Sequence, residues 1–246
     1  EIAQCLVGSE MCIRDSIMTG YRNTILYTLG GTLINVVVTV LCAYPLSRRD
    51  MPMRGFFVFL FVFTMFFGGG LIPTYLLVNS LGMVNTFWAL LIPGAMSVYN
   101  MIITRTFFQN GVPHELLEAS QIDGCSDFRM FVSIALPLSG AIIAVMALYA
   151  AVGTWGSWYT AFIYITDQKK WPLQLRLRQI LILDSTQSLD IYSMTEEDIA
   201  QMQHQAFLMT TVKYAIIFVA CLPMLVLYPF VQKYFVKGVM IGSVKG

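Results

Sequence analysis

The chain has 246 residues, of which 57% are hydrophobic and only 12% charged, with a mean hydropathy of +0.68. Soluble domains carry roughly 45–50% apolar residues, so this composition reads as a membrane protein. A formal net charge of +1 offers no whole-chain field to draw a nucleic acid or a strongly acidic partner.

Residues 1–16, EIAQCLVGSEMCIRDS, show neither a basic region before an apolar core nor a sustained period, which argues against a signal peptide. The string LVGSEMCIRDS is similar to translated sequencing-linker sequence. The expectation is that residues 1–16 are a non-native or truncated N-terminal segment, that the fold occupies 17–246, and that a first transmembrane helix is missing or replaced. From Thr24 to Leu46 no residue is charged. At about 1.5 Å per residue this stretch can cross the ~30 Å hydrocarbon layer. Asn35, near its middle, suits an interhelical hydrogen bond more readily than a substrate contact. Arg48, Arg49 and Arg54 follow in SRRDMPMR and mark the cytoplasmic side by the positive-inside rule.

A second span is expected over Gly55–Val78. Its centre, FFGGGLIPTY, contains Gly68, Gly69, Gly70 and Pro73, which weaken or break a helix; in lipid such a break needs neighbouring protein or a water-lined cavity. A tight helix crossing and a translocation path account for these small residues equally well, and Gly69 and Gly70 are candidates for the path. The uncharged connector NSLGMVN at 79–85 fits the outside. A third span over Thr86–Ile103 returns inward, with Pro93 and Gly94 able to kink it and Asn100 set in apolar sequence as another path candidate. Arg105 reaches the cytoplasmic interface.

Between Pro113 and Pro137 lies a polar stretch, PHELLEASQIDGCSDFRMFVSIALP. Pro113 suits the first turn of a helix, and Glu115 and Glu118 put negative charge near its positive end. Gly124 stands where a left-handed residue would stop that helix, and Ser126 with Asp127 can cap a second one. A helix, a turn and a helix outside the lipid are therefore expected, within a loop over 105–131.

Glu118, Ala119 and Ser120, then Gly124, then Ile134, Leu136 and Pro137 resemble the EAA loop of ABC importer permeases: E-A-A, three residues, G, nine residues, I-x-L-P. Ser120 stands where that family usually has its second alanine, a small-for-small exchange. GYRNT at 20–24, AYPLSRRD at 43–50, GGLIPTY at 69–75 and YPFVQKYFVKGVMIGSVKG at 228–246 are similar to the carbohydrate-importer branch, above all to permeases for complex polysaccharide or oligosaccharide uptake. The resemblance implies an all-α polytopic bundle of the type I, MetI-like kind, with about five spans present. It implies that the 113–137 loop is a coupling helix docking on a separate cytoplasmic ATP-binding subunit, Glu118 meeting a basic residue and Gly124 allowing the turn. It further implies a second permease subunit, an extracytoplasmic sugar-binding protein and a plasma-membrane location.

The apolar run Phe131–Ile165 is too long for one upright span of ~20 residues. Pro137 is expected to open a helix to about Gly153, with TWGSWYTAFIYI continuing as an outer half-helix or tilted extension. Trp155, Trp158 and Tyr159 suit an interfacial aromatic belt; alternatively Trp155 and Trp158 form a stacking platform for sugar rings. The mixed-charge segment 166–211 belongs outside, because orientation follows short basic loops; a surface helix is expected from Thr195 through IAQMQHQ. A last span, Tyr214–Phe230, carries Pro223 and Pro229, which predict bends. The lysines of the following tail place the C-terminus inside, and the resemblance of that tail suggests a complete C-terminus.

No G-x-x-x-x-G-K-[ST] motif occurs, so nucleotide must act on another chain. Neither G-x-S-x-G nor H-E-x-x-H is found, nor a mid-span carboxylate pair, which argues against a membrane hydrolase and a proton-coupled carrier. Five scattered cysteines and two distant histidines suggest neither a disulfide framework nor a metal centre. No cofactor is expected. The competing reading is a stand-alone channel or secondary carrier for small solutes, which would need no ATPase.

Overall fold

In the computed structural model the described residues are 2–186, 214, 217–218, 220–226 and 228–229. Every regular element among them is helical. The longest, α1, runs Ile2–Ser47 and serves as the mast against which the others pack. Its portion Ile17–Ser47 is the one helix among the described residues that is long and apolar enough to cross a membrane alone.

Two further stretches qualify as spans only as bent pairs. The second span expected over Gly55–Val78 is broken at its glycine run, as those residues predict, into α2 (Arg54–Phe66) and α3 (Leu71–Ser80), bent by 110°. Gly70 makes the break possible: its φ is +82° with ψ 176°, a region essentially restricted to glycine. The chain then runs through α4 (Trp88–Leu91) and α5 (Val98–Gly111). These divide the expected third span at Pro93–Gly94, and Ser97 caps α5 by accepting from the Asn100 N–H.

After the polar stretch, α7 (Asp127–Met130) passes into a π-helical turn, Phe131–Ala135, and α8 (Leu136–Leu138). The chain bends by 79° at Ser139 into α9 (Gly140–Trp155). Pro137 thus continues a helix instead of opening one. Lacking an N–H, it cannot bond to the carbonyl four residues before it, and the wider turn that precedes it adjusts the ladder where that donor is missing. Gly156 and Ser157 separate α9 from α10 (Trp158–Tyr164), the expected outer half-helix. A 3₁₀ turn at Gln168–Lys170 and α11 (Leu173–Thr186) follow. The polar composition of 166–211 gave no sign of α11. The helix expected from Thr195 lies outside the described residues.

The main core joins Val40, Ala43 and Tyr44 of α1 to Met101 and Phe108 of α5 and to Met130, Phe131 and Ala135. Tyr44 sits between Phe131 and Phe108, with ring centroids 4.7 and 5.7 Å away. Lipid tails are as apolar as these side chains, so close packing rather than water exclusion favours the assembly. Accordingly, α1 meets its neighbours through small residues: a Cβ on Gly31 would stand 3.2 Å from Thr154 of α9, and one on Gly20 would stand 3.2 Å from the Leu173 backbone.

Two ends emerge. At one, Arg105 Nε donates to the Leu46 carbonyl (2.8 Å), binding α5 to the foot of α1 beside the Arg48–Arg54 turn. At the other, Asn23 Nδ2 and Tyr27 Oη donate to the carbonyls of Lys169 and Lys170 (2.8 and 2.9 Å). The Leu173 N–H donates to Thr24 Oγ1 at 2.8 Å.

Candidate functional site

The polar stretch folds as its residue types dictate. Following Pro113, α6 covers His114–Ile122 and ends at Gly124, whose φ is +68° with open space where a Cβ would stand. The Cys125 N–H returns to the Ser120 carbonyl at 2.9 Å, a six-to-one bond that closes the helix end as glycine-terminated helices do. Ser126 Oγ then accepts from the Arg129 N–H and starts α7. The result is an elbow of two helices around one left-handed residue.

Glu118 and Ala119 lie on the exposed face of α6, whereas Ser120 is buried, its hydroxyl donating to the Leu117 carbonyl at 2.8 Å. The serine that stands in an alanine position is thus satisfied within its own helix. Ile134 and Leu136 pack on the main core and Pro137 is exposed. The elbow is pinned to the foot of α1 by Arg48, which pairs with both Asp50 and Asp127. The Asp50 bond, opposed by burial and reinforced by Asp127, holds the guanidinium protonated well beyond its ordinary range. Beside this pair a cavity of about 260 Å³ is lined by Tyr44, Arg48, Arg49, Arg54 and Gln109.

A second cavity, of about 420 Å³, lies between α1, the Pro93–Gly94 turn, α5, α9 and α10. Its polar wall includes Asn35, Ser97, Asn100, Tyr149, Tyr159 and Thr160. In place of the expected interhelical bond, Asn35 makes a long bond of 3.4 Å from Nδ2 to the carbonyl of Gly94 in the turn between α4 and α5. Of the path candidates named from sequence, Asn100 lines this cavity; Gly69, Gly70, Trp155 and Trp158 do not. Gly69 and Gly70 lie exposed at the α2–α3 break. Trp155 is 7% exposed, donates its indole N–H to the Ala220 carbonyl at 3.1 Å, and meets Tyr21 edge-on. Trp158 lies under the Arg178 guanidinium, 3.7 Å from its ring centroid, a cation–π stack. Tyr149, Tyr159 and Thr160 were not singled out as path residues in the sequence; they lie in runs where a tyrosine or threonine on a helix has no periodic signature.

Over residues 16–241 the chain matches the family described as "Binding-protein-dependent transport system inner membrane component". It is 44% identical to the polygalacturonan/rhamnogalacturonan transport system permease protein YtcP of Bacillus subtilis (strain 168), over 91% of this chain and 75% of that protein. Protein LplC of the same organism is 45% identical, over 91% of this chain and 72% of that one. Among solved structures, a bacterial ABC transporter involved in the import of the acidic polysaccharide alginate superposes with a TM-score of 0.77 at 30% identity, covering 89% of this chain and 75% of that one.

Proposed function

The chain belongs to the family of inner membrane components of binding-protein-dependent transport systems, and on that premise we propose that it is a permease subunit of an ATP-driven importer of oligosaccharides or polysaccharide-derived saccharides. A relative named for polygalacturonan and rhamnogalacturonan transport, 44% identical over most of the chain, supports the substrate class. The observation that carries the mechanical part is the elbow: an exposed helix face bearing Glu118, hinged at Gly124 and tied through Asp127 to the foot of α1.

The working parts we infer combine that geometry with what the family implies. A cytoplasmic ATP-binding subunit docks on α6, and its closure displaces the elbow. Because Asp127 is bonded to Arg48 and α7 runs on without a loop into the π turn and α8, the displacement reaches α1 and α9 together. Rigid-body rocking between two packed arrangements is the expected response. A second permease subunit completes the path and an extracytoplasmic sugar-binding protein delivers the substrate. The elbow and the C-terminus face the cytoplasm, and the 79–85 and 166–211 segments face outward.

The test is reconstitution of the full complex in proteoliposomes with a panel of oligosaccharides. Glu118→Lys and Gly124→Pro are expected to abolish substrate-stimulated ATP hydrolysis and uptake while the complex still assembles in detergent. Normal stimulation in both variants would reject the coupling role. Uptake by the purified chain without any ATPase would reject the importer reading altogether.

A further inference from the structure

We propose that the cavity between α1, α5, α9 and α10 is a subsite for a neutral sugar ring, with the Asn35 amide as its anchoring group. This rests on the importer reading above and adds to it where in this subunit the substrate pauses and which saccharides pass.

Three observations converge on it. Asn35 lines the cavity and is 8% exposed, and its Oδ1 is buried with no hydrogen-bond partner among the described residues. A buried acceptor without a donor is disfavoured, and a hydroxyl of an entering ligand would satisfy it. The position is also right: Asn35 lies twelve residues before the end of α1 at Ser47, about 18 Å at helical rise, near the middle of a ~30 Å hydrocarbon layer. Polar side chains at that depth face a protein interior or a watered cavity, and transported solutes are held there.

The third observation is the chemistry of the wall. Among the described lining residues none is charged; amides, hydroxyls and tyrosines alternate with glycines and apolar side chains. Asn35, Asn100, Ser97 and Thr160 supply both donors and acceptors, the complement a polyhydroxylated ring requires. Tyr149 and Tyr159 are more than half exposed and offer ring faces on which the C–H face of a sugar can lie. A carboxylated sugar, such as a unit of the polygalacturonan for which one relative is named, fits this wall less well, because its charge would be desolvated at mid-depth with no cation among the described lining residues to pair with. The arginines of the smaller cavity stand at the foot of α1 and contribute nothing to this wall.

The test uses the assembled transporter in proteoliposomes, with raffinose as the neutral probe and trigalacturonate as the acidic one. Wild type is expected to take up the neutral probe. Asn35→Ala should reduce that uptake about tenfold at subsaturating concentration, and should reduce uptake of the acidic probe less. Asn100→Lys should shift the neutral-to-acidic uptake ratio at least tenfold toward the acid, a change of selectivity that a merely destabilised helix would not produce. Uptake of the acidic probe alone by wild type would overturn the inference, as would equal loss of both probes in Asn35→Ala with an unchanged ratio in Asn100→Lys. Uptake of neither probe while another member of the oligosaccharide panel enters would also overturn the inference; ATP-independent uptake, or uptake of no panel member by wild type, would instead overturn the importer reading.

Discussion

Thr24 and Thr39 sit on the same helix and are both buried, yet their hydroxyls have opposite consequences. Thr24 Oγ1 donates to the Gly20 carbonyl at 2.9 Å and accepts the Leu173 N–H at 2.8 Å, so it joins α1 to α11. Thr39 Oγ1 has no partner among the described residues. Replacing Thr24 by valine removes the acceptor and strands a buried N–H, a cost of about 1–3 kcal/mol. The same replacement at Thr39 removes only a desolvated hydroxyl and should be neutral or mildly stabilising. Thermal unfolding of the purified complex in detergent checks this: Thr24→Val lowers the midpoint and Thr39→Val does not. Residue identity alone could not have separated the two threonines, because the distinction lies in what α11 brings to one and no described residue brings to the other.

Turns in this chain are fastened by single residues whose backbone is itself unusual. Asn85 adopts φ +62° between α3 and α4, a left-handed conformation that asparagine tolerates better than most side chains. From there its N–H donates to the Tyr164 carbonyl at 2.8 Å, its Oδ1 accepts the Asp167 N–H at 3.1 Å, and its carbonyl accepts from Lys170 Nζ at 2.7 Å. One residue thus fixes the α10 end and the 3₁₀ turn against the α3–α4 connector. Asn85→Gly keeps the backbone geometry and loses one bond, whereas Asn85→Val loses the bond and strains the turn. Hydrogen exchange should therefore quicken at the Asp167 amide alone in the first variant, and across 164–170 in the second. The bends at Phe67–Gly70 and at Ser139 belong to the same scale. Both occur beside residues that break a helix ladder, but only the glycine run announced its position in the sequence.

Across the whole molecule the polar segments sort to two ends. The 48–54 turn and the elbow at 112–126 share the foot of α1, and the 79–86 connector shares the opposite end with 165–173. Their assignment to cytoplasm and exterior, argued from the arginines at 48, 49 and 54, has a direct test in a background lacking other cysteines. Cys125, in the turn of the elbow, should react with a membrane-impermeant maleimide only in inside-out vesicles. A cysteine placed at Ser80 should react only from the outside. Labelling with the two faces exchanged would invert the topology and remove the elbow from any cytoplasmic partner.

Composition determined by itself that this is a helical membrane protein, since 57% apolar residues with charges gathered between long neutral runs leave few other solutions. The elbow was legible to the residue, because helix stop and start signals are local: Gly124 for its φ and Ser126 for its cap act within one turn. What only the tertiary structure decided is which side chains converge. Trp155 proved to be an interior anchor bonded to Ala220, and Asn35, which hydropathy reads as one polar residue in an apolar helix, became part of a cavity wall shared by several helices. The physical reason is that a single apolar helix has no face privileged by its own sequence when lipid and protein are equally hydrophobic. Only close approach through Gly20 and Gly31, and the bends that shorten α2 and redirect α9, choose the side that turns inward.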